Sequence, residues 1–197
     1  MTGVESALAK LNLYDQVGYL AVGGLFMMVA RVDLAILGIP IADLPVPTEI
    51  GGRVLLVYFL GHFAQTIANY IVKENKTAFS TKHLAVLKAV ARKIKMKPFD
   101  PNEAYQTCYM LALANDPTGH VQVFNANYSL YRGWASVFLM NSVFFATLVT
   151  LAPLDPGFWA AMGSSAILST IMQVRAVRMY SYGRSKTLQT YSLFAKK

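Results

Sequence analysis

Catalysis and ligand binding need polar groups at close, repeatable spacing, and the clearest such set in this chain lies inside an apolar run. Residues 58–74 read YFLGHFAQTIANYIVKE, where His62, Gln65 and Asn69 recur at intervals of three and four and share one helix face with Tyr58. Such a face cannot favourably meet lipid, because unsatisfied hydrogen-bonding groups are expensive in hydrocarbon. Two readings follow. In the first, the stripe bonds other helices, with Asn141, Ser165 and Gln173 as counterparts, each contact contributing about 0.6 kcal/mol. In the second, it lines a water-accessible path, within one subunit or around the axis of an oligomer, and neutral polar groups there would select weakly by charge. His62, near the middle of its span, would make that path pH-sensitive. Arg53 stands at the outer end, placed to bias anion entry or to anchor the helix.

The remaining reactive groups are scattered. Cys108 is the only cysteine, which excludes an intramolecular disulfide and a cysteine-based metal cluster. With His120 it offers a thiol and an imidazole, but a lone Cys in YQTCYMLALA reads better as a small buried apolar residue. Ser164, Ser165, Ser169 and Thr170 suit close helix packing, and a hydrolase would need one of them activated by a base. His62, His83 and His120 fall in different elements and define no metal site. A phosphate-binding Gly-rich loop, HExxH and GxSxG are all missing. We therefore expect no catalytic residues, no metal and no cofactor, and a chain that is not an enzyme.

Positioning falls to apolar helices. The chain of 197 residues is 55% hydrophobic and only 14% charged, against roughly 25% charged in soluble domains. About 20 apolar residues cross a hydrocarbon core. Segments 54–72, 133–152 and 157–174 meet that length or nearly so without Asp, Glu, Lys or Arg. A first span runs from Val17 to Ala30, is interrupted by Arg31 and Asp33, and resumes in LAILGIP; we expect it to be tilted, with Arg31 snorkelling to the interface. The N-terminus lacks the pattern of a cleaved signal, so this span is expected to be retained. With no acidic residue in the middle of the three clearest spans, a carboxylate-based pump is not expected. The sequence thus predicts an all-α, polytopic membrane protein: four transmembrane helices with a cytoplasmic helical insert between spans two and three. Its segments are 1–72 (N-terminal segment and spans one and two), 73–132 (insert), 133–174 (a hairpin closed by PLDPG) and 175–197 (C-terminal segment).

Basic residues set the orientation. Lys73, Lys76 and the cations of the insert, with Arg175, Arg178, Arg184, Lys186, Lys196 and Lys197, place the insert and both termini in the cytoplasm, opposite Asp43, Glu49 and Asp155. Within the insert, STKHLAVLKAVARKIKMKPFD predicts a basic amphipathic helix capped by Ser80 or Thr81 and ended by Pro98, with Leu84, Leu87, Val90, Ala91 and Ile94 as its apolar face. Lys82, Lys88, Arg92, Lys93, Lys95 and Lys97, together with Arg132, are the candidate contacts to lipid head groups or to a partner protein. Nucleic acid is not expected as a direct partner. PNEAYQTCYMLALAN predicts a second helix, and VQVFNANYSLYRG a third that runs into the third span, bringing Tyr128, Tyr131 and Arg132 to the interface. The end of the chain reads as a further helix interrupted at Gly183, or as a basic tail.

The YDQVGY start of the first span, the inner basic insert and NYSLYRG entering a closing hairpin resemble, as a layout, small four-span bacterial inner-membrane proteins of antiphage defence neighbourhoods. That resemblance implies an oligomeric membrane component that senses infection or perturbs the inner membrane when a cytoplasmic partner signals. It carries over no binding residues. The expectation is a non-enzymatic, homo-oligomeric inner-membrane protein, a gated pore or a sensor and effector coupled to a soluble or membrane partner. A structural or anchoring subunit of a larger membrane complex and a small-solute carrier are the alternatives.

Overall fold

The computed structural model describes residues 3–40, 47, 49–72, 79–116 and 118–194, with side chains for all of these except 3–15 and 194. Six helices and no strand occur among them: α1 (Gly3–Ile36), α2 (Ile50–Ile71), α3 (Thr81–Lys93), α4 (Pro101–Asn115), α5 (His120–Leu151) and α6 (Pro156–Phe194). The expected roles of Asp43, Lys73, Lys76, Lys196 and Lys197 fall outside the described residues. The chain divides into two compact units, one of residues 1–14, 74–127 and 177–197 and the other of residues 15–73 and 128–176.

Among the described residues three helices are long and apolar enough to cross a membrane, in α1 over Gln16–Ile36, in α2 over Ile50–Ile71 and in α5. The sequence predicts four. The first part of α6, expected as a span over 157–174, is uncharged, but Gly163, Ser164, Ser165, Ser169, Thr170 and Gln173 dilute its apolar content. Arg31 and Asp33 do not interrupt α1, because a helix satisfies its own backbone whatever its side chains carry. The helix is closed by Gly38, two residues past Ile36 and in the left-handed region (φ 68°), with Ile39 N–H donating to Leu34 O at 2.9 Å and Gly38 N–H to Ala35 O at 3.2 Å.

In the second unit the helices meet through small residues. A Cβ on Gly23 would overlap the carbonyl oxygen of Val57, and one on Gly61 would overlap that of Tyr19. Two bare glycines thus let the backbones of α1 and α2 touch. On α5, a Cβ at Gly133 would reach within 2.7 Å of Gln65 Nε2. Val22, Ala64 and Val137 fill the core beside these contacts, flanked by Leu25, Phe26, Leu130 and Trp134.

The other unit has capped helices around an apolar cluster. Ser80 caps α3, its side chain accepting from His83 N–H at 3.3 Å, and Asp100 caps α4 ahead of Pro101, accepting from Asn102 N–H at 2.8 Å. Helix α3 ends at Lys93, earlier than Pro98 would impose: Lys95 turns left-handed (φ 55°) and Met96 N–H closes onto Ala91 O at 2.9 Å. Leu87 and Val90 pack with Phe79, Ala104, Cys108 and Leu188, and each fully buried aliphatic contributes about 1.5–3 kcal/mol. Ile94, expected on this face, is 45% exposed, because it lies at the helix end. The C-terminal segment is neither a tail nor broken at Gly183, since α6 continues to Phe194 and buries Thr187, Leu188 and Thr190.

The glycine contacts make a discriminating prediction. Gly23→Ala or Gly61→Ala is expected to lower stability by about 1–3 kcal/mol through overpacking, read as a lower Tm in detergent. Gly24→Ala, where an added Cβ meets nothing within 4 Å, is expected to be neutral or to raise it, by up to about 1 kcal/mol.

Candidate functional site

The predicted polar stripe sits on α2, and most of it is engaged by neighbouring helices of its own unit. The His62 ring stacks on Tyr19 of α1 with centroids 3.7 Å apart and planes 18° from parallel, while Tyr58 meets both rings edge-on at 4.6 and 5.9 Å. Gln65 is buried, and its Nε2 donates to the Ser129 carbonyl of α5 at 2.7 Å; its Oε1 is buried with no hydrogen-bond partner among the described residues. Asn69 differs: its side chain is exposed. Immediately before Gln65, the carbonyl of Ala64 accepts from buried Ser136 Oγ at 2.7 Å, a second link between α2 and α5.

Asn141 and Gln173 do not join that stripe. Asn141 lies 2.9 Å from Ser165 Oγ on α6, and turning its amide so that nitrogen faces the Asp33 carboxylate gives donation at 2.7 and 3.2 Å while its oxygen accepts from Ser165. That orientation is assigned from the hydrogen-bond network and satisfies all three side chains. Asp33, Asn141 and Ser165 thereby tie α1, α5 and α6 together. Gln173 reaches Ser169 Oγ of its own helix at 3.4 Å, and Ser169, buried, donates to the Ala135 carbonyl at 2.9 Å. Ser142 adds a bond to the Met162 carbonyl at 3.2 Å. Asp33 is the member that sequence reasoning missed: it entered only as a blemish in the first span, and the one signal was a carboxylate within an apolar run.

Comparison with protein-family models, curated proteins and solved structures finds no match. Roles for these residues therefore rest on geometry.

The basic candidates separate into two groups. Lys82, Lys88, Arg92, Lys93, Lys95 and Lys97 are all exposed. The apolar face of α3 is used in its own unit's core, so the surface left for other molecules is the cationic one. Lys88, Arg92, Lys95 and Lys97 rim an open cleft of about 640 Å³ with Ala91, Met96 and Phe99 between them. Arg132 is half-buried and turned onto its own helix, its Nη1 donating to Tyr128 Oη at 3.3 Å and its guanidinium 5.0 Å from that ring. Arg53 donates to the Pro47 carbonyl at 3.0 Å. Arg184, read from sequence as an orienting charge, is buried with its guanidinium 3.8 Å from the Phe79 ring centroid and 5.0 Å from that of Tyr180. Burial and that neighbouring cation both hold the His83 imidazole below its usual pKa.

The candidate nucleophile is enclosed. Cys108 is fully buried, and desolvation pushes its thiol up to about 11, which keeps it in the unreactive protonated form at neutral pH. His120 contacts the Thr118 hydroxyl instead. No cluster of three or more His, Cys, Asp or Glu able to hold a metal occurs among the described residues. Cys108 is expected to resist maleimide labelling at neutral pH in the folded protein and to react fully in denaturant; rapid labelling of the native chain, followed by mass spectrometry, would contradict this burial.

Asp116 organises the turn into α5, accepting from Val121 N–H at 2.9 Å, from Thr118 N–H at 3.1 Å and from the Thr118 hydroxyl. Partial burial pushes its carboxyl up, but these bonds and the nearby His120 outweigh that and hold it below the usual range. A carboxylate with a depressed native pKa stabilises the fold above its unfolded value, about 3.9, and that contribution is lost as pH falls through the native value. Asp116→Ala is expected to reduce stability by about 0.5–2 kcal/mol at pH 7. The gap in Tm from the parent should close only below pH of about 4.

Proposed function

We propose that this chain is a non-enzymatic, multi-pass membrane anchor whose bundle of spans holds a basic helical unit in the cytoplasm for docking. The observation that carries this reading is the fate of the polar stripe: His62 and Gln65 are engaged by α1 and α5, and their polar groups serve cohesion between helices. The uncharged first half of α6 is the fourth span in this proposal. It is bonded to α5 through Ser165, Ser169 and the Met162 carbonyl, and its hydroxyls, satisfied within the bundle, need no water. With four spans the insert and both termini share the cytoplasmic side of the inner membrane, in keeping with the excess of Lys and Arg there. The cleft rimmed by Lys88, Arg92, Lys95 and Lys97 is then the surface offered to anionic groups, either lipid head groups or an acidic face of a partner.

A gated path formed by several copies, with the role in antiphage defence that the sequence layout suggests, is the second reading. Asn69 favours it, as the stripe residue whose side chain is exposed on α2 and so open to a neighbouring copy.

Dye release from liposomes holding the purified protein separates the two. The anchor reading expects tight vesicles, with His62→Leu and Gln65→Leu lowering Tm and leaving permeability unchanged. Leakage by the parent that these substitutions abolish, with assembly intact, would establish the path and overturn the anchor.

A further inference from the structure

The geometry points to a ligand site separate from the stripe and from the basic cleft: we infer that the groove between the second half of α1 and the middle of α5 binds a hydrophobic monovalent cation, an ammonium or phosphonium group on an apolar body. The groove is open on one side and offers about 340 Å³, within the range of small-molecule sites, about 300–1,000 Å³. Its wall is apolar, with Phe26, Leu34, Met140 and Phe144 among its lining. Asp33 is the one charged residue in that lining and Asn141 the one other polar residue.

Charge selects the occupant. The partner of the Asp33 carboxylate is an amide, which fixes its position at 2.7 and 3.2 Å without neutralising it. A carboxylate offers about four acceptor positions, so the bonds from Asn141 leave capacity toward the groove. A cation answers that charge, and its apolar body replaces lipid or water against the wall. Phe26 and Phe144 add aromatic rings to the same lining, the side chains that attract a cation with poorly hydrated substituents. An anion of the same shape meets the carboxylate as a like charge and is rejected.

Equilibrium binding of radiolabelled tetraphenylphosphonium to the full chain in nonionic maltoside micelles tests this, with tetraphenylborate as the anion of matching shape. Saturable uptake of the cation and none of the anion is expected, and Asp33→Asn should weaken it about tenfold or more. Ala30→Phe, which keeps the carboxylate and fills the groove from its lining, should weaken it as well and decides the matter if Asp33→Asn does not fold. Equal uptake of both ions, or cation binding unchanged in a folded variant of either kind, overturns the assignment.

Discussion

Helices in lipid gain nothing from hiding apolar side chains, since hydrocarbon surrounds them either way, so their association rests on close packing and hydrogen bonds. The contact between Gly23 and Gly61 meets that constraint. With both side chains reduced to hydrogen, α1 and α2 approach until each glycine lies against a carbonyl of the opposite helix, where weak Cα–H···O contacts add to dispersion. Other bundle contacts exploit this closeness. Tyr19, whose carbonyl lies against Gly61, stacks its ring on His62 one residue further along α2. Val22, next to Gly23, packs with Ala64 and Val137 and lies where a side chain at Gly133 would stand. The stretches that carry the sequence resemblance, YDQVGY and NYSLYRG, supply Tyr19, the Ser129 carbonyl and Gly133 to these contacts, which gives them a packing role whatever the protein's activity.

The two units are held together by different means. In the unit that contains α3 and α4, apolar burial around Leu87, Val90, Cys108 and Leu188 forms the core. Arg184 is the exception within it. Its guanidinium is set among the rings of Phe79, Tyr105 and Tyr180, and a desolvated cation–π contact contributes about 2 kcal/mol where an arginine in a plain aliphatic core would be strongly destabilising. Because the apolar face of α3 is committed to this core, its lysines act as a charged surface, and α3 is not free to lie on a bilayer as an amphipathic helix would.

Legibility from sequence followed the range of the physics. Local signals were readable: the cap at Ser80, the helix over PNEAYQTCYMLALAN, the joining of VQVFNANYSLYRG to the third span in α5, and the sharing of one face by Tyr58, His62 and Gln65. Partners across the fold were not, because periodicity gives direction around one helix and says nothing about which helix lies opposite. Tyr19 beside His62 and a backbone carbonyl beside Gln65 have no sequence signature. The fourth expected span rests on absence of charge alone, a weaker criterion than apolar content, and the serines of α6 leave that segment less apolar than the other three. Lys95 ended α3 ahead of Pro98 because a left-handed turn can be imposed by hydrogen bonds on a residue whose type does not advertise it.

Asp33 shows where cohesion stops explaining the bundle. A carboxylate at the centre of a span costs about 2.5–3.5 kcal/mol, and less toward the end, where Asp33 lies three residues before the close of α1. Its bonds to Asn141 recover part of that cost, at the typical interhelical value of about 0.6 kcal/mol each. A leucine at the same position would leave Asn141 its bond to Ser165 and would extend the apolar wall formed by Leu34 and Met140. Packing therefore gives no reason for a charge here, whereas Gln65 and Ser136 are explained by the bonds they make between α2 and α5. A polar group can hold helices together or face an open groove, and Asp33 does both: it bonds to Asn141 across α1 and α5, and its charge, which that bond does not require, lines the groove.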